Sequence, residues 1–120
     1  MKIAITSSGT TLDDDVDPRF GRAKYFLVFD TETGVLHAVE NSQNLNAAQG
    51  AGIQAGQLVA ATGATALLTG NCGPKAFQVL GQAGIGVYFK VQGKVRQAIE
   101  DWKAGTLTAA ENANVEGHWM

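Results

Sequence analysis

The chain contains a single cysteine. No internal disulfide can form, so a reducing compartment, the cytoplasm, is the expected location. A multi-cysteine zinc or iron–sulfur site is excluded for the same reason. Any metal held here is bound by other groups or arrives carrying its own ligands. No stretch approaches the roughly 20 apolar residues of a membrane-spanning helix. The opening Met1–Thr6 is too short for a signal-peptide core and lacks a small-residue cleavage site. Neither sign of charge dominates: 9 Lys and Arg stand against 11 Asp and Glu. General nucleic-acid binding, which needs a basic stripe to release counterions, is therefore not expected. Proline is scarce, at 2 residues, and no Pro/Ser-rich linker divides the 120 residues. One domain over 1–120 is expected, with an ordered part to about 105 and an irregular tail.

The patterning that is present is that of an α/β protein. Apolar residues over 2–6 predict a buried strand. Residues 7–24 carry two Gly, a Pro and a run of Asp and predict a loop, and loops beyond about 12 residues are usually functional. Strands are predicted over 25–29 and 35–40, joined by a turn that ends at Gly34. A polar loop over 41–49 follows. Apolar spacing predicts a helix over 51–62 stopped by Gly63, and another from Pro74 to about Ala83 stopped by Gly84. Strands are predicted over 65–69 and 86–90. A last helix has the stripe Val95, Ala98, Ile99 and Trp102 and is closed by Gly105. Right-handed crossovers then order a five-stranded mixed sheet 3-2-1-4-5, with helices on both faces in a three-layer α/β/α arrangement. Strands 1 and 4 leave in different directions, which directs attention to the loops at their carboxyl ends.

Four motifs lie on those loops or near them. Asp17-Pro18-Arg19-Phe20-Gly21-Arg22 sets two arginines three residues apart between a Pro and a Gly. Paired guanidinium groups suit oxyanions or thioanions, although each could instead pair with Asp13, Asp14, Asp15 or Asp17. Asn71-Cys72-Gly73-Pro74-Lys75 stands where a strand passes into a helix. Its first amides lack internal partners, and Cys72 there is expected to have a lowered pKa, or else to be a small buried filler. Gln49-Gly50-Ala51-Gly52 opens a helix and admits close backbone approach, but it lacks the endings of a P-loop or a dinucleotide fingerprint. His37 and His118 are the two histidines, either a candidate metal ligand. The Asp run fails as a calcium loop, because no Gly stands at its sixth position and Lys24 replaces the closing Glu. No nucleophile elbow and no paired carboxylates support catalysis.

These pieces together resemble the nitrogenase iron–molybdenum cofactor biosynthesis family, which includes NifX-type carriers and the carboxyl-terminal domain of NifB-type proteins. The resemblance rests on Met1–Ile5, on Asp17 to Arg22, on Gly50-Ala51-Gly52-Ile53 and on Thr69 to Phe77. The opening Ser7-Ser8-Gly9-Thr10-Thr11-Leu12-Asp13-Asp14 is most similar to the orange-protein branch of sulfate-reducing bacteria. The resemblance implies a ribonuclease H-like fold and non-catalytic, non-covalent binding of a metal–sulfur cluster, of molybdenum–copper sulfide type in that branch. It also implies a MinD/Mrp-type P-loop ATPase as a partner. The expected contacts are Ser7, Ser8, Gly9, Arg19, Phe20, Gly21, Arg22, Gly50, Ala51, Gly52, Asn71, Cys72, Gly73, Pro74 and Lys75. His118 is a metal candidate, and Phe20 and Trp119 are candidate shields against water. Two other readings stay open: a module that regulates such an ATPase without a cluster of its own, and an enzyme using Cys72 as nucleophile.

Overall fold

Residues of β1 (Lys2–Ser7) and β2 (Tyr25–Asp30) are buried on both faces of the sheet, which is why their sequences read as continuous apolar runs. In the computed structural model, which describes residues 1–41 and 51–110, they form the middle of a five-stranded sheet. The remaining elements are β3 (Leu36–Glu40), α1 (Ala51–Ala61), β4 (Ala66–Leu68), α2 (Pro74–Gln82), β5 (Gly86–Tyr88) and α3 (Val95–Lys103). The sheet order is β3-β2-β1-β4-β5, as the sequence predicts. β1 pairs antiparallel with β2 and parallel with β4; β2 pairs antiparallel with β3, and β4 parallel with β5.

Strand alternation divides the core into two layers. Ala4, Phe26, Leu67 and Val87 face one way and meet Ala55 and Val59 of α1 and Ala76 and Leu80 of α2. Ile3, Ile5, Leu27, Phe29, Ala66 and Leu68 face the other way and meet Val95, Ala98 and Ile99 of α3, with Trp102 packed alongside. Gly63 and Gly84, just past α1 and α2, have φ of 82° and 76°, a region where a side chain is strained.

Three expectations change. β4 and β5 are shorter than predicted, although single ladder bonds continue past them: Thr69 donates to the Tyr88 carbonyl at 3.0 Å and Val91 to Thr69 at 3.1 Å. The tail beyond 105 is not irregular throughout. Ala109 bridges Tyr88 antiparallel, and the Ala110 N–H donates to the Val87 carbonyl at 2.7 Å, so the outer edge of β5 is partly paired. The 7–24 stretch is a tied structure, with bridges Ser7–Val16, Asp15–Lys94 and Arg19–Asn71.

β1, β3, β4 and β5 all run in one direction, so their carboxyl ends share one edge of the sheet. α2 and α3 start from that edge, and α1 starts there too, because its end leads back to the beginning of β4.

Candidate functional site

Both loops singled out by the strand order lie at this edge, and hydrogen bonds bind one to the other. Thr6 near the end of β1 and Thr69 just after β4 are fully buried, with their hydroxyls 3.0 Å apart. Thr6 Oγ1 also donates to the Asp17 carbonyl at 2.7 Å, and the Asp17 N–H donates to the Thr6 carbonyl at 2.9 Å. Segment 17–20 is thereby held across the ends of β1 and β4. The Pro18 carbonyl accepts the Asn71 N–H at 2.7 Å and the Asn71 side-chain amide at 3.2 Å, and the Asn71 carbonyl accepts from Phe20 at 3.1 Å. Gly70 is what permits this contact. A Cβ there would lie 2.6 Å from the Pro18 oxygen, a backbone atom that cannot swing away.

Arg19 stands on the outside of this crossing. Its N–H donates to Asp17 Oδ1 at 2.9 Å, which fixes the turn, while its side chain is 58% exposed and reaches the same carboxylate only at 3.9 Å. A contact so long, made by a guanidinium mostly in solvent, adds little energy and leaves the guanidinium able to take another anion. Arg22, half-buried, follows in the same turn. The turn is held from below by Asn41, which is fully buried. Its side-chain amide donates to the Ala23 carbonyl at 2.8 Å and the Gly21 carbonyl at 3.4 Å, and its N–H donates to Lys24 at 2.9 Å.

Across the crossing, Gly73 is the N-cap of α2, and no side chain caps the helix. Pro74 occupies the first turn, where its missing N–H costs nothing, and Lys75 is exposed beside it. The positive end of α2 thus faces the same edge as Arg19 and Arg22. The start of α3 is different. Its Val95 and Arg96 N–H groups donate to the Asp14 and Leu12 carbonyls at 2.9 and 2.8 Å, and Lys94 Nζ donates to the Asp13 carbonyl at 2.9 Å.

Several expected contacts are reassigned. Cys72 is fully buried among the residues under α2, and desolvation pushes its thiol up to about 12 rather than down. The helix end favours a thiolate, but burial away from water costs more, so the buried-filler reading replaces the expected lowered pKa. Phe20 is also fully buried, its ring 5.4 Å from that of Phe26; it anchors the loop in the core and cannot shield a mouth. Gly21 beside it is buried. Ser7, Ser8 and Gly9 are engaged within their own loop: Ser7 Oγ bonds the Gly9 N–H and carbonyl at 3.2 and 2.8 Å, and Ser8 Oγ donates to Asp15 at 3.2 Å. That loop runs over the start of α3, on the far side of the sheet from α2. Asp14 accepts from the Thr11 N–H and hydroxyl at 2.9 and 2.8 Å, and these bonds hold its pKa down. Ala51 and Gly52 lie in the first turn of α1, where Gly52 is buried; Gly50, His118 and Trp119 lie outside the described residues.

Sequence reasoning assigned no site role to Thr6, Thr69 or Asn41. The two threonines carried a signal, a hydroxyl at the carboxyl end of each central strand. Asn41 carried none beyond a generic polar loop. His37 is exposed on β3, in a half-open groove of about 250 Å³ at the opposite end of the sheet, lined also by Lys2, Val28, Asp30, Thr33 and Val35. None of the expected contacts lies there. Among the described residues no group of three His, Cys, Asp or Glu side chains could hold a metal ion, and no helix is long and apolar enough to cross a membrane.

Comparison with known proteins gives the family and the fold. Residues 1–105 match the family model described as dinitrogenase iron-molybdenum cofactor. An uncharacterized protein of Methanocaldococcus jannaschii is 32% identical over 113 residues, 92% of each chain. The apo orange protein of Desulfovibrio gigas superposes with a TM-score of 0.93 at 45% identity, covering 95% of this chain and 96% of that one. A Thermotoga protein described as a NifB candidate, solved by NMR, superposes with a TM-score of 0.83 at 36% identity, covering 97% and 98%.

Proposed function

The chain belongs to the dinitrogenase iron-molybdenum cofactor family, and from that premise we propose that it binds and carries a preassembled anionic metal–sulfur cluster as cargo, without catalysing a reaction. The observation that carries this reading is the hydrogen-bonded crossing of Pro18 and Asn71, which joins the loop bearing Arg19 and Arg22 to the turn that leads into the uncapped start of α2. A cluster already dressed in sulfide needs no protein thiolate. It needs positive charge, N–H donors and a backbone that allows close approach. The described residues suit such cargo better than a bare metal ion: Cys72 is buried and protonated, and no ligand group of three is present among them. Arg19, Arg22 and Lys75 would supply charge-assisted hydrogen bonds, and the first turn of α2 its amides.

The resemblance of the opening segment to the orange-protein branch makes a molybdenum–copper sulfide the cargo to try first. A cytoplasmic location, one domain over the whole chain and a MinD/Mrp-type P-loop ATPase as a partner complete the proposal. The test is anaerobic equilibrium dialysis of the purified protein against tetrathiomolybdate, with and without Cu(I), followed by metal and sulfide analysis. Stoichiometric retention is expected, together with a shifted charge-transfer spectrum. Passage of all molybdenum through the membrane, with and without copper, would overturn the reading.

A further inference from the structure

Lys90 is the non-glycine residue with positive φ, at 61°, among the described residues. Lysine gains nothing from this conformation, which glycine or asparagine adopts at lower cost. The neighbouring contacts explain why the backbone must turn there. Phe89 packs against Phe77 of α2, ring centroids 6.0 Å apart, while Val91 is buried in the opposite layer against α3. The chain passes from one face of the sheet to the other at Lys90. What the backbone does not explain is why a long cation occupies this position.

Its location suggests a reason. The Lys90 N–H donates to the Gly70 carbonyl at 3.0 Å, and Gly70 is the residue packed against Pro18. Lys90 therefore flanks the Gly70–Asn71 turn from the β5 side, while Arg19 stands by Pro18 on the β1 side. Lys90 is exposed and forms no ion pair with any described residue. Backbone strain kept at such a place is a reason to look for function.

We propose that Lys90 is a further binding residue for the anionic cargo, supplying the cation on the β5 side of the site that Arg19, Arg22 and Lys75 bound from the other sides. The inference rests on the carrier reading and extends it to a residue that the sequence motifs do not include. A thiometallate bearing several negative charges would be contacted from both sides of the Gly70–Asn71 turn.

The test separates charge from strain. Lys90→Gly removes the cation and relieves the backbone, so melting temperature should stay level or rise while the dissociation constant for tetrathiomolybdate increases at least fivefold. Lys90→Arg should bind within twofold of the unmodified protein. Lys90→Asn should follow the glycine variant. Unchanged affinity in Lys90→Gly, while Arg19→Ala with Arg22→Ala loses binding, would overturn the role of Lys90 and leave the carrier reading intact. A Lys90→Arg variant weakened as much as Lys90→Gly would mean a structural effect only and would also overturn it. No binding by the unmodified protein would bring down both.

Discussion

The Asn71 N–H donates to the Pro18 carbonyl across 2.7 Å, although 53 residues separate the two in the chain. Asn71 accepts from Phe20 in return, so the pair forms a two-bond bridge between loops that leave different strands. The arginine motif is positioned by this bridge. Perturbing the bridge should therefore change cargo binding without any charge being touched.

Gly70→Ala tests the bridge directly. The added methyl group would meet the Pro18 oxygen, Cα and Cβ at 2.6, 2.7 and 3.0 Å, and two of these atoms are backbone. Overpacking of this kind costs about 1–3 kcal/mol. Urea unfolding should show that loss, and tetrathiomolybdate affinity should fall with it. A variant as stable as the parent would show that the two loops can separate cheaply.

Removing both guanidinium groups, with Arg19→Ala and Arg22→Ala, should weaken cargo retention. Each charge-assisted bond contributes about 1.5–3 kcal/mol, so two together correspond to a hundredfold loss or more, on the order of 3 kcal/mol. Because Arg19 is largely exposed, the parent's affinity should also fall as salt rises, and the double variant's less steeply. Titration at two ionic strengths measures both effects.

Asn41→Ala should destabilise by about 1–3 kcal/mol, because it leaves the Ala23 and Gly21 carbonyls without their buried donor. Asn41→Asp should be worse, since a buried carboxylate would face those carbonyls with no donor to offer. Equal urea midpoints for Asn41→Ala and the parent would refute the anchoring role.

Cys72 should resist alkylation in the folded protein and react once it is unfolded. Its thiol is pushed up to about 12 in the fold, against 9.0 for the unperturbed group. Between those values the unfolded chain releases the proton and the folded chain keeps it. The contribution to stability is thus complete below about pH 9 and is lost as pH rises towards 12, at up to about 1.36 kcal/mol per unit. Urea midpoints of the parent and Cys72→Ala, compared from pH 8 to 10.5, should converge as pH rises. Parallel curves would mean that the thiol is not perturbed.

Much of the architecture was legible because its causes are local. Apolar runs in 2–6 and 25–29 marked strands buried on both faces, and Gly63, Gly84 and Gly105 marked helix ends that need positive φ. The handedness of parallel crossovers then ordered the sheet. The arginine motif and the Asn71–Lys75 turn were legible as residue types suited to anions. Their roles one by one were not, since burial and ionisation depend on what distant segments bring.

Sequence alone determined which segments become strands and helices, and that both motif loops leave from the same edge, because periodicity, glycine stops and crossover handedness act over short stretches of chain. Only the tertiary structure decided that Phe20 and Cys72 belong to the core, that Asn41 and the threonine pair secure the loops, and that Lys90 stands in a left-handed turn beside Gly70. Desolvation and hydrogen-bond geometry are properties of the packed neighbourhood, and that neighbourhood is assembled from residues far apart in the chain.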